Sequence, residues 1–358
     1  VEGNVVAGRS AIGLDIGTSG VRAAELSFGK GRVTLEKFGQ VALPEGAVRD
    51  GEVVNPAAVA DAIKQLWSHT KFGGKKVVIG VANQKVIVRQ VDLPWMPGDE
   101  LKKSLAFQVE DLIPMPVSAA VLDFHALEEK TGDTGARLVR GLLVAASRDM
   151  VNSSLDAVQR AGLTPVMVDL TPFAVIRSVA SADDLGVGAP VEALIDVGAR
   201  VTNIIVHQGG VPQFVRILLM GGQDVTDAVA ERMGVPQGEA EAIKQQLGIE
   251  PVNGLGAEAA SRVVDATMAA FVDEVRGSLD YYLASSGSAS IARLSLTGGG
   301  ARLAGLAGRL QIATRLTVDA GNPMHSLAMG RTGLSPEQLA FVQPLAAVPV
   351  GLALGAAS

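Results

Sequence analysis

AIGLDIGTSGVR, residues 11–22, decides how this chain is read. An apolar run ends on Asp15, the turn Gly17-Thr18-Ser19-Gly20 follows, and a second apolar-patterned run begins at Val21. The turn sets backbone N–H groups and two hydroxyls beside a carboxylate, a combination suited to a phosphate with its metal. A hairpin with glycine at its turn looks the same locally. The stretch therefore draws its meaning from two others far along the chain, Ile195-Asp196-Val197-Gly198-Ala199-Arg200 and Leu296-Thr297-Gly298-Gly299-Gly300.

The 358 residues are too many for one simple core, so two lobes are expected. Apolar residues make up 48%, charged ones 19%, and glycine occurs 42 times, the balance of a folded, turn-rich chain. Only 4% is aromatic and the net charge is −6, which offers neither stacking platforms nor a basic stripe to nucleic acid. Without cysteine there is no disulfide, thiol nucleophile or thiolate zinc site, in keeping with a reducing compartment. Residues 1–10 lack the basic stretch and apolar core of a secretion signal. The tail from Leu339 to Ser358 is uncharged over about the length of a bilayer-spanning helix. Gln343, Pro344, Pro349 and several glycines interrupt it, and it is read as a buried loop, short strand and short helix of a soluble protein.

Alternating runs near 11–16, 21–28 and 32–43 predict an antiparallel meander. Asn55-Pro56 opens a helix to about Lys71, with Val59, Ile63, Leu66 and Trp67 on one face. Strands at 76–82 and 85–93 follow. Asp99 is the expected N-cap of a helix bearing Leu101, Leu105, Val109, Leu112 and Ile113, stopped by Pro114. Strands near 120–129 and 137–146, and a helix over 148–161 closed by Gly162, complete a β-β-α-β-β-α piece read as an inserted subdomain, 76–165. After VMVDL (166–170) and a helix from Thr171-Pro172, strands at 191–196, 201–207 and 212–219 repeat the first meander with its Asp-X-Gly turn. The repetition points to a duplication with a cleft between the halves. A helical stretch, 223–285, separates the second meander from the strand at 292–298.

ATP bound between two lobes needs donors for its phosphates, carboxylates for hydrated Mg²⁺, and a flat slot for adenine. Asp15 and Asp196 end equivalent strands and are the candidate Mg²⁺ ligands. Gly17, Thr18, Ser19 and Gly20 offer donors from one side, and Gly198, Ala199 and Thr202 from the other. The plain alternative for each is a hairpin turn with a solvated Asp. LTGGGARLAGL (296–306) adds a strand, the glycines Gly298, Gly299 and Gly300, and a helix from about Leu303. Glycine lets backbone lie against a ligand and leaves a helix N-terminus open to it, although any βα turn has this form.

Together the three segments resemble the phosphate-1, phosphate-2 and adenosine motifs of the actin-like ATPase superfamily, which includes actin, the heat-shock chaperones, sugar kinases, MreB and FtsA. Ala240-Glu241-Ala242-Ile243-Lys244 is similar to the helix that in MreB and FtsA places a Glu and a Lys on the ribose and adenine side. Without the resemblance, Glu241 and Lys244 are a solvated pair. GGQDVTDAVA (221–230) is similar to the strand-to-helix junction of the same proteins, and PLAAVPVGLALGA to the connect-2 segment. The implied fold is α/β: an actin-like (ribonuclease H-like) two-lobe ATPase fold with an inserted FtsA-type 1C subdomain. The implied division is 10–75 for the first part of lobe 1, 76–165 for the insertion, 166–190 for connect-1, 191–222 for the core of lobe 2, 223–291 for its helical subdomain, 292–324 for the adenosine motif, and 325–358 for the return to lobe 1.

VRQVDLPWMPGDELKKSLAFQVEDLIPMPVSAAVLDFHAL (88–127) narrows the resemblance to the type IV pilus assembly PilM family. That family carries an Arg, a Leu-Pro or Met-Pro, an Asp/Glu-Leu helix, an Ile-Pro-X-Pro and a Leu-Asp-Phe, and the likeness runs from about residue 11 to the C-terminus. It implies a cytoplasmic protein at the inner face of the cytoplasmic membrane that binds ATP and Mg²⁺. Its implied partner is PilN, whose cytoplasmic N-terminal peptide docks on the insertion-bearing lobe, so that contact with the membrane is indirect. Other pilus motor and platform proteins and a homo-oligomeric ring belong to the same picture. Val86, Val88, Val91, Leu93 and Trp95 are candidates for the groove, with core packing as the alternative. Hydrolysis is expected to be slow or absent. In VDLTPFAVIRSV (168–179) the position nearest the superfamily's catalytic Glu is Thr171, and a hydroxyl is a poor base at neutral pH. Asp169 is close by, and the general base stays unassigned. Two other readings stay open: a small-molecule kinase of the sugar-kinase type, and an FtsA-like division protein. GLDIGTS motivates the first, which lacks a carboxylate base for a substrate hydroxyl; the second calls for an amphipathic membrane helix after a charged linker, not found up to Ser358.

Overall fold

Local signals place the first elements. The computed structural model describes residues 10–29, 31–132, 135–180, 186, 188–248, 257–286 and 290–356. The stretch read for a secretion signal, apart from Ser10, lies outside them, as do parts of the 223–291 helical section. Strands β1 (Ser10–Ile16), β2 (Gly20–Gly29) and β3 (Arg32–Ala42) form the expected meander, followed by the small hairpin β4 (Val48–Arg49) and β5 (Glu52–Val53). Helix α1 (Pro56–Thr70) begins where Asn55 accepts the Ala58 N–H at 3.1 Å, carries Pro56 at its first position, and ends at Lys71 in the left-handed region.

Next come β6 (Lys76–Val81), β7 (Val86–Pro94), α2 (Gly98–Gln108), β8 (Ala120–Thr131), β9 (Arg137–Ser147), α3 (Arg148–Arg160), β10 (Thr164–Leu170) and α4 (Thr171–Val179). The second half runs β11 (Val191–Val197), β12 (Thr202–Gln208), β13 (Val211–Leu218), α5 (Gly222–Met233), α6 (Gln237–Leu247), α7 (Ala257–Ser285), β14 (Ile291–Thr297), α8 (Leu306–Thr314) and β15 (Thr317–Ala320). It closes with β16 (Ala328–Met329), α9 (Pro336–Val342) and α10 (Ala347–Gly355).

The two large sheets have the same plan. One runs β10-β6-β1-β2-β3-β16, the other β13-β12-β11-β14-β15. In each, an antiparallel meander carries two further strands parallel to its first, β6 and β10 in one lobe and β14 and β15 in the other. The duplication extends to register. Ile16 pairs with Val21 and Asp15 with Arg22, just as Val197 pairs with Thr202 and Asp196 with Asn203.

Residues 76–165 are divided between two sheets. Strand β6 sits between β1 and β10 in the first sheet, with Val77, Val78, Ile79 and Val81 buried on both faces. Helix α3 buries Ala157 and Val158 in the cluster that holds Val59 and Ile63 of α1. What stands apart is the sheet β7-β9-β8 with α2 on one face, where Leu101, Leu105 and Val109 pack on Leu93, Val139 and Leu143. Pro97 rather than Asp99 caps α2, leaving Asp99 and Glu100 in the first turn, where the helix dipole favours acids. The groove candidates divide by strand alternation: Val91 and Leu93 join the α2 cluster, while Val86 and Val88 join one that includes Met150 and Ile217. Trp95 is exposed, with the Arg137 guanidinium 3.9 Å from its ring centroid.

Among the described residues the tail contains no strand. Residues Pro336–Gly355 are long and apolar enough to cross a membrane by length and composition, and half of that run is buried. It folds as α9, a 3₁₀ turn at Gln343–Ala346, and α10. Helix α10 lies between β1 and α4 at glycine contact distance: a Cβ at Gly13 would stand 2.0 Å from Pro349 O, and one at Gly351 1.8 Å from Ala174 O. Val348 and Leu352 then share one cluster with Val175 and Ile176 of α4 and with Leu194 and Ile205 of the second sheet. Helices α4 and α10 are thus the seam between the lobes.

Candidate functional site

The two Asp hairpins are built alike. Gly17 donates its N–H across the first turn to Gly20 O, and Gly198 across the second to Val201 O, both at 3.0 Å. Asp15 and Asp196 stand two residues before these glycines and line one cleft of about 750 Å³ between the lobes. Asp15 Oδ2 lies 3.4 Å from Nη1 of its register partner Arg22, and Asp196 Oδ2 accepts the Nδ2–H of its own partner Asn203 at 3.1 Å. Burial raises the Asp15 carboxyl and Arg22 offsets part of the rise. Burial pushes Asp196 up to about 6; Asn203 and Arg22 oppose the rise, and the charge on Asp15 adds to it. A cation between two such acids relieves the repulsion. Among the described residues no cluster of three or more His, Asp or Glu is placed to hold a metal. Two carboxylates suit Mg²⁺, which keeps most of its water.

The triple glycine closes the cleft from the side of β14. Gly298 leaves the strand at φ 85, so near the Asp196 hairpin that a Cβ would stand 2.4 Å from Val197 O and 2.7 Å from Asp196 Oδ1. A 3₁₀ turn, Gly299–Arg302, follows, and helix α8 starts only at Leu306, later than the sequence spacing predicts. The reason is Gly305, whose left-handed φ of 87 interrupts the run. Gly222 marks where the segments meet, since a Cβ there would lie 3.6 Å from Lys244 Nζ, 3.7 Å from Gly300 Cα and 3.8 Å from Gly198 O.

Helix α5 is tied to the second hairpin. Its Gly222 N–H donates to Gly198 O at 3.0 Å and its Gln223 N–H to Ala199 O at 2.7 Å. Arg200 reaches Asp224 at 3.0 Å and Asp227 at 2.5 Å, and Asp224 also accepts the Gly221 N–H. Lys244 donates to Gly222 O at 3.0 Å, Thr226 Oγ1 at 2.9 Å and Glu241 Oε2 at 2.6 Å. Burial raises the Glu241 carboxyl, but hydrogen bonds from Lys244, Thr226 and Gln245 outweigh it and hold the group below its ordinary value. This pair therefore fastens α6 to α5 as well as lining the cleft.

Asp15, Gly17, Thr18, Ser19, Asp196, Gly198, Ala199, Glu241, Lys244, Gly298, Gly299 and Gly300 all line the same cavity. Gly20 and Thr202 sit behind its wall. A Cβ on Gly20 would meet Val41 O at 2.7 Å, and the buried Thr202 hydroxyl donates to Met220 O at 2.7 Å. Strand alternation explains this: Thr202 pairs with Val197, so it faces away from Asp196, and Asn203 faces the cleft instead. The same rule, applied to both meanders, finds Arg22 and Asn203, each seven residues after its Asp, which the sequence reading passed over. Thr171 lines the cleft from the start of α4, close to Gly80. Asp169 is engaged by Arg177 and by the Leu170 N–H.

The sequence pattern of the family described as type IV pilus assembly protein PilM matches residues 13–357. The chain is similar to the solved PilM-PilN type IV pilus biogenesis complex, with 28% identity, a TM-score of 0.84, and coverage of 99% of this chain and 100% of that one. It is similar to the cell division protein FtsA of Bacillus subtilis (strain 168), 24% identical over 261 residues, which are 66% of this chain. It spans 58% of the length of that relative. MreB 5 of Spiroplasma citri bound to AMPPNP shares the fold, with 12% identity, a TM-score of 0.54, and coverage of 96% and 94%.

Proposed function

The chain belongs to the type IV pilus assembly protein PilM family, and from that premise we propose that it is a cytoplasmic, ATP-binding, actin-like component of the pilus assembly platform. One observation carries the nucleotide reading. Asp15 and Asp196 occupy the same register position in two duplicated lobes and line one cleft with the triple glycine. The two carboxylates would hold hydrated Mg²⁺, which when bound screens the charge of the phosphates. The N–H groups and hydroxyls of Gly17, Thr18 and Ser19, with Gly198 and Ala199 opposite, would bind the phosphates. Arg22 would exchange its long contact with Asp15 for a phosphate oxygen. Glu241 and Lys244 would border the sugar.

Thr171 lines the cleft at the start of α4; we take it as the residue in the place of a water-activating base, a task a hydroxyl performs poorly. Turnover is accordingly slow or absent, and the nucleotide acts by holding the lobes together. Its conformational effect equals the difference in its affinity for their arrangements. The proposed partner is PilN, supported by the likeness to the PilM-PilN complex. Its cytoplasmic N-terminal peptide docks beside the β7-β9-β8 sheet, through Val91, Trp95 and their neighbours, and holds the protein at the inner face of the membrane. Other motor and platform proteins, and a ring of copies of this chain, complete the assembly.

Thermal melts test the nucleotide site. Mg-ATP in excess of its dissociation constant raises the midpoint of the wild-type chain. Asp15→Ala removes the rise, and a variant that keeps it would show that the site is misplaced. Titration of the PilN peptide with and without Mg-ATP tests the partner, and no binding in either condition would sink that assignment.

A further inference from the structure

Arg302 and Phe341 are among the residues of the cleft wall that the phosphate and adenosine motifs leave without a role. Arg302 ends the 3₁₀ turn that starts at Gly299, so it follows directly on the glycines beside the proposed phosphate site. Phe341 comes from α9, in the segment that returns to the first lobe. Both line the cleft, and the Arg302 guanidinium carbon stands 3.7 Å from the centroid of the Phe341 ring. Phe341 is 51% exposed, so core packing does not account for it.

The segment that carries Phe341 is fixed to the glycine turn. The Pro344 carbonyl accepts the Gly298 N–H at 2.9 Å and the Thr297 hydroxyl at 3.0 Å. Leu345 approaches to 3.1 Å of where a Cβ on Gly299 would be. On the other side Leu339, Val342 and Ala346 pack with Leu35 and Phe38 of the first lobe. The ring is thereby held in place relative to the turn that bears Arg302.

We propose that Phe341 is a positioning residue for a purine base. It keeps the Arg302 guanidinium flat at the end of the cleft beyond the glycines, where that plane stacks on the base. The proposal rests on the nucleotide reading above and adds to it the residues that hold the base. A guanidinium is planar and stacks on aromatic rings and nucleobases alike. An arginine free in solvent gives up side-chain freedom to stack, whereas one already lying on a ring has given it up beforehand. A purine offers the larger face, so the stack favours ATP over CTP.

Calorimetric titration of the full chain with Mg-ATP, Mg-CTP and Mg-tripolyphosphate provides the test. Arg302→Ala weakens Mg-ATP about tenfold and Phe341→Ala about threefold, while Mg-tripolyphosphate, which has no base, binds as before. Phe341→Tyr, which keeps the ring, restores wild-type affinity. Phe341→Ala protein that melts normally and binds Mg-ATP like wild type overturns the proposal. So does an equal loss for ATP and tripolyphosphate, which marks a general disturbance of the cleft. Wild-type protein that binds none of the three ligands overturns the nucleotide reading and this proposal together.

Discussion

Position by position, the hairpin at Asp15 and the hairpin at Asp196 share one backbone plan and diverge in what their second strands and tips provide. Arg22 in the first answers to Asn203 in the second, and Val21 to Thr202. At the tips, the exposed Ser19 answers to Arg200, which is bridged to Asp224 and Asp227. The second turn is fastened from outside by backbone bonds from Gly222 and Gln223 and by the Thr202 hydroxyl on Met220 O. The first has one such backbone bond, Leu43 N–H to Ser19 O at 3.0 Å, and the long reaches of Arg22 to Asp15 and Ser19. The first hairpin contributes a cation, the second a fixed scaffold. The two hairpins share the carboxylate and the turn and divide these tasks.

The largest expected effect separates the two acids by pH. Asp196 has its pKa raised from 3.8 to about 6, so the unfolded chain gives up this proton first as pH rises. The group therefore costs nothing near pH 3 and destabilises increasingly from about 4 to about 6, by roughly 3 kcal/mol once fully ionised. In nucleotide-free protein, Asp196→Asn should remove that fall, read as the difference between wild-type and variant urea denaturation at pH 4.5 and 7. Parallel pH profiles would show that Asp196 is not strained. Next comes the cation. Arg22→Ala should weaken Mg-ATP by about 2 kcal/mol, whereas Asn203→Ala should weaken it far less; equal losses in titration would erase the division of labour. The smallest effects come from giving the second turn the residues of the first. Thr202→Val should lower stability by about 1 kcal/mol and Arg200→Ser by about 0.5 kcal/mol. Both should bind Mg-ATP more nearly like wild type than Arg22→Ala does.

Where a structural signal is local, the residues disclose it. Asn55, Pro56 and Lys71 mark both ends of α1 because caps act within one turn of helix. The strand 76–82 is equally plain as a strand, but its partner is not. An apolar run such as KVVIGVA fits any buried sheet, and only the packing of β1 and β10 on either side shows that it belongs to the first lobe. The same limit applies within the cleft. Asp15, Asp196 and the triple glycine are visible as turns, whereas Arg22 and Asn203 acquire significance once each hairpin register is known. Thr202 illustrates the converse, a hydroxyl near a turn whose strand position points it at Met220. Phe341 and Arg302 lie 39 positions apart and meet only through the folded path of the return segment.

One contact between the lobes answers to mutation from a single side. The acceptor at residue 344 is a main-chain oxygen, present whatever side chain stands there, and the proline ring limits how its backbone can turn. Exchange of Pro344 would leave the acceptor in place, and the Gly298 donor is likewise main chain. Thr297 alone brings a side chain to the contact. As long as the backbone at Gly298 and Pro344 keeps its course, variation in the strength of this fastening rests on one hydroxyl in the second lobe.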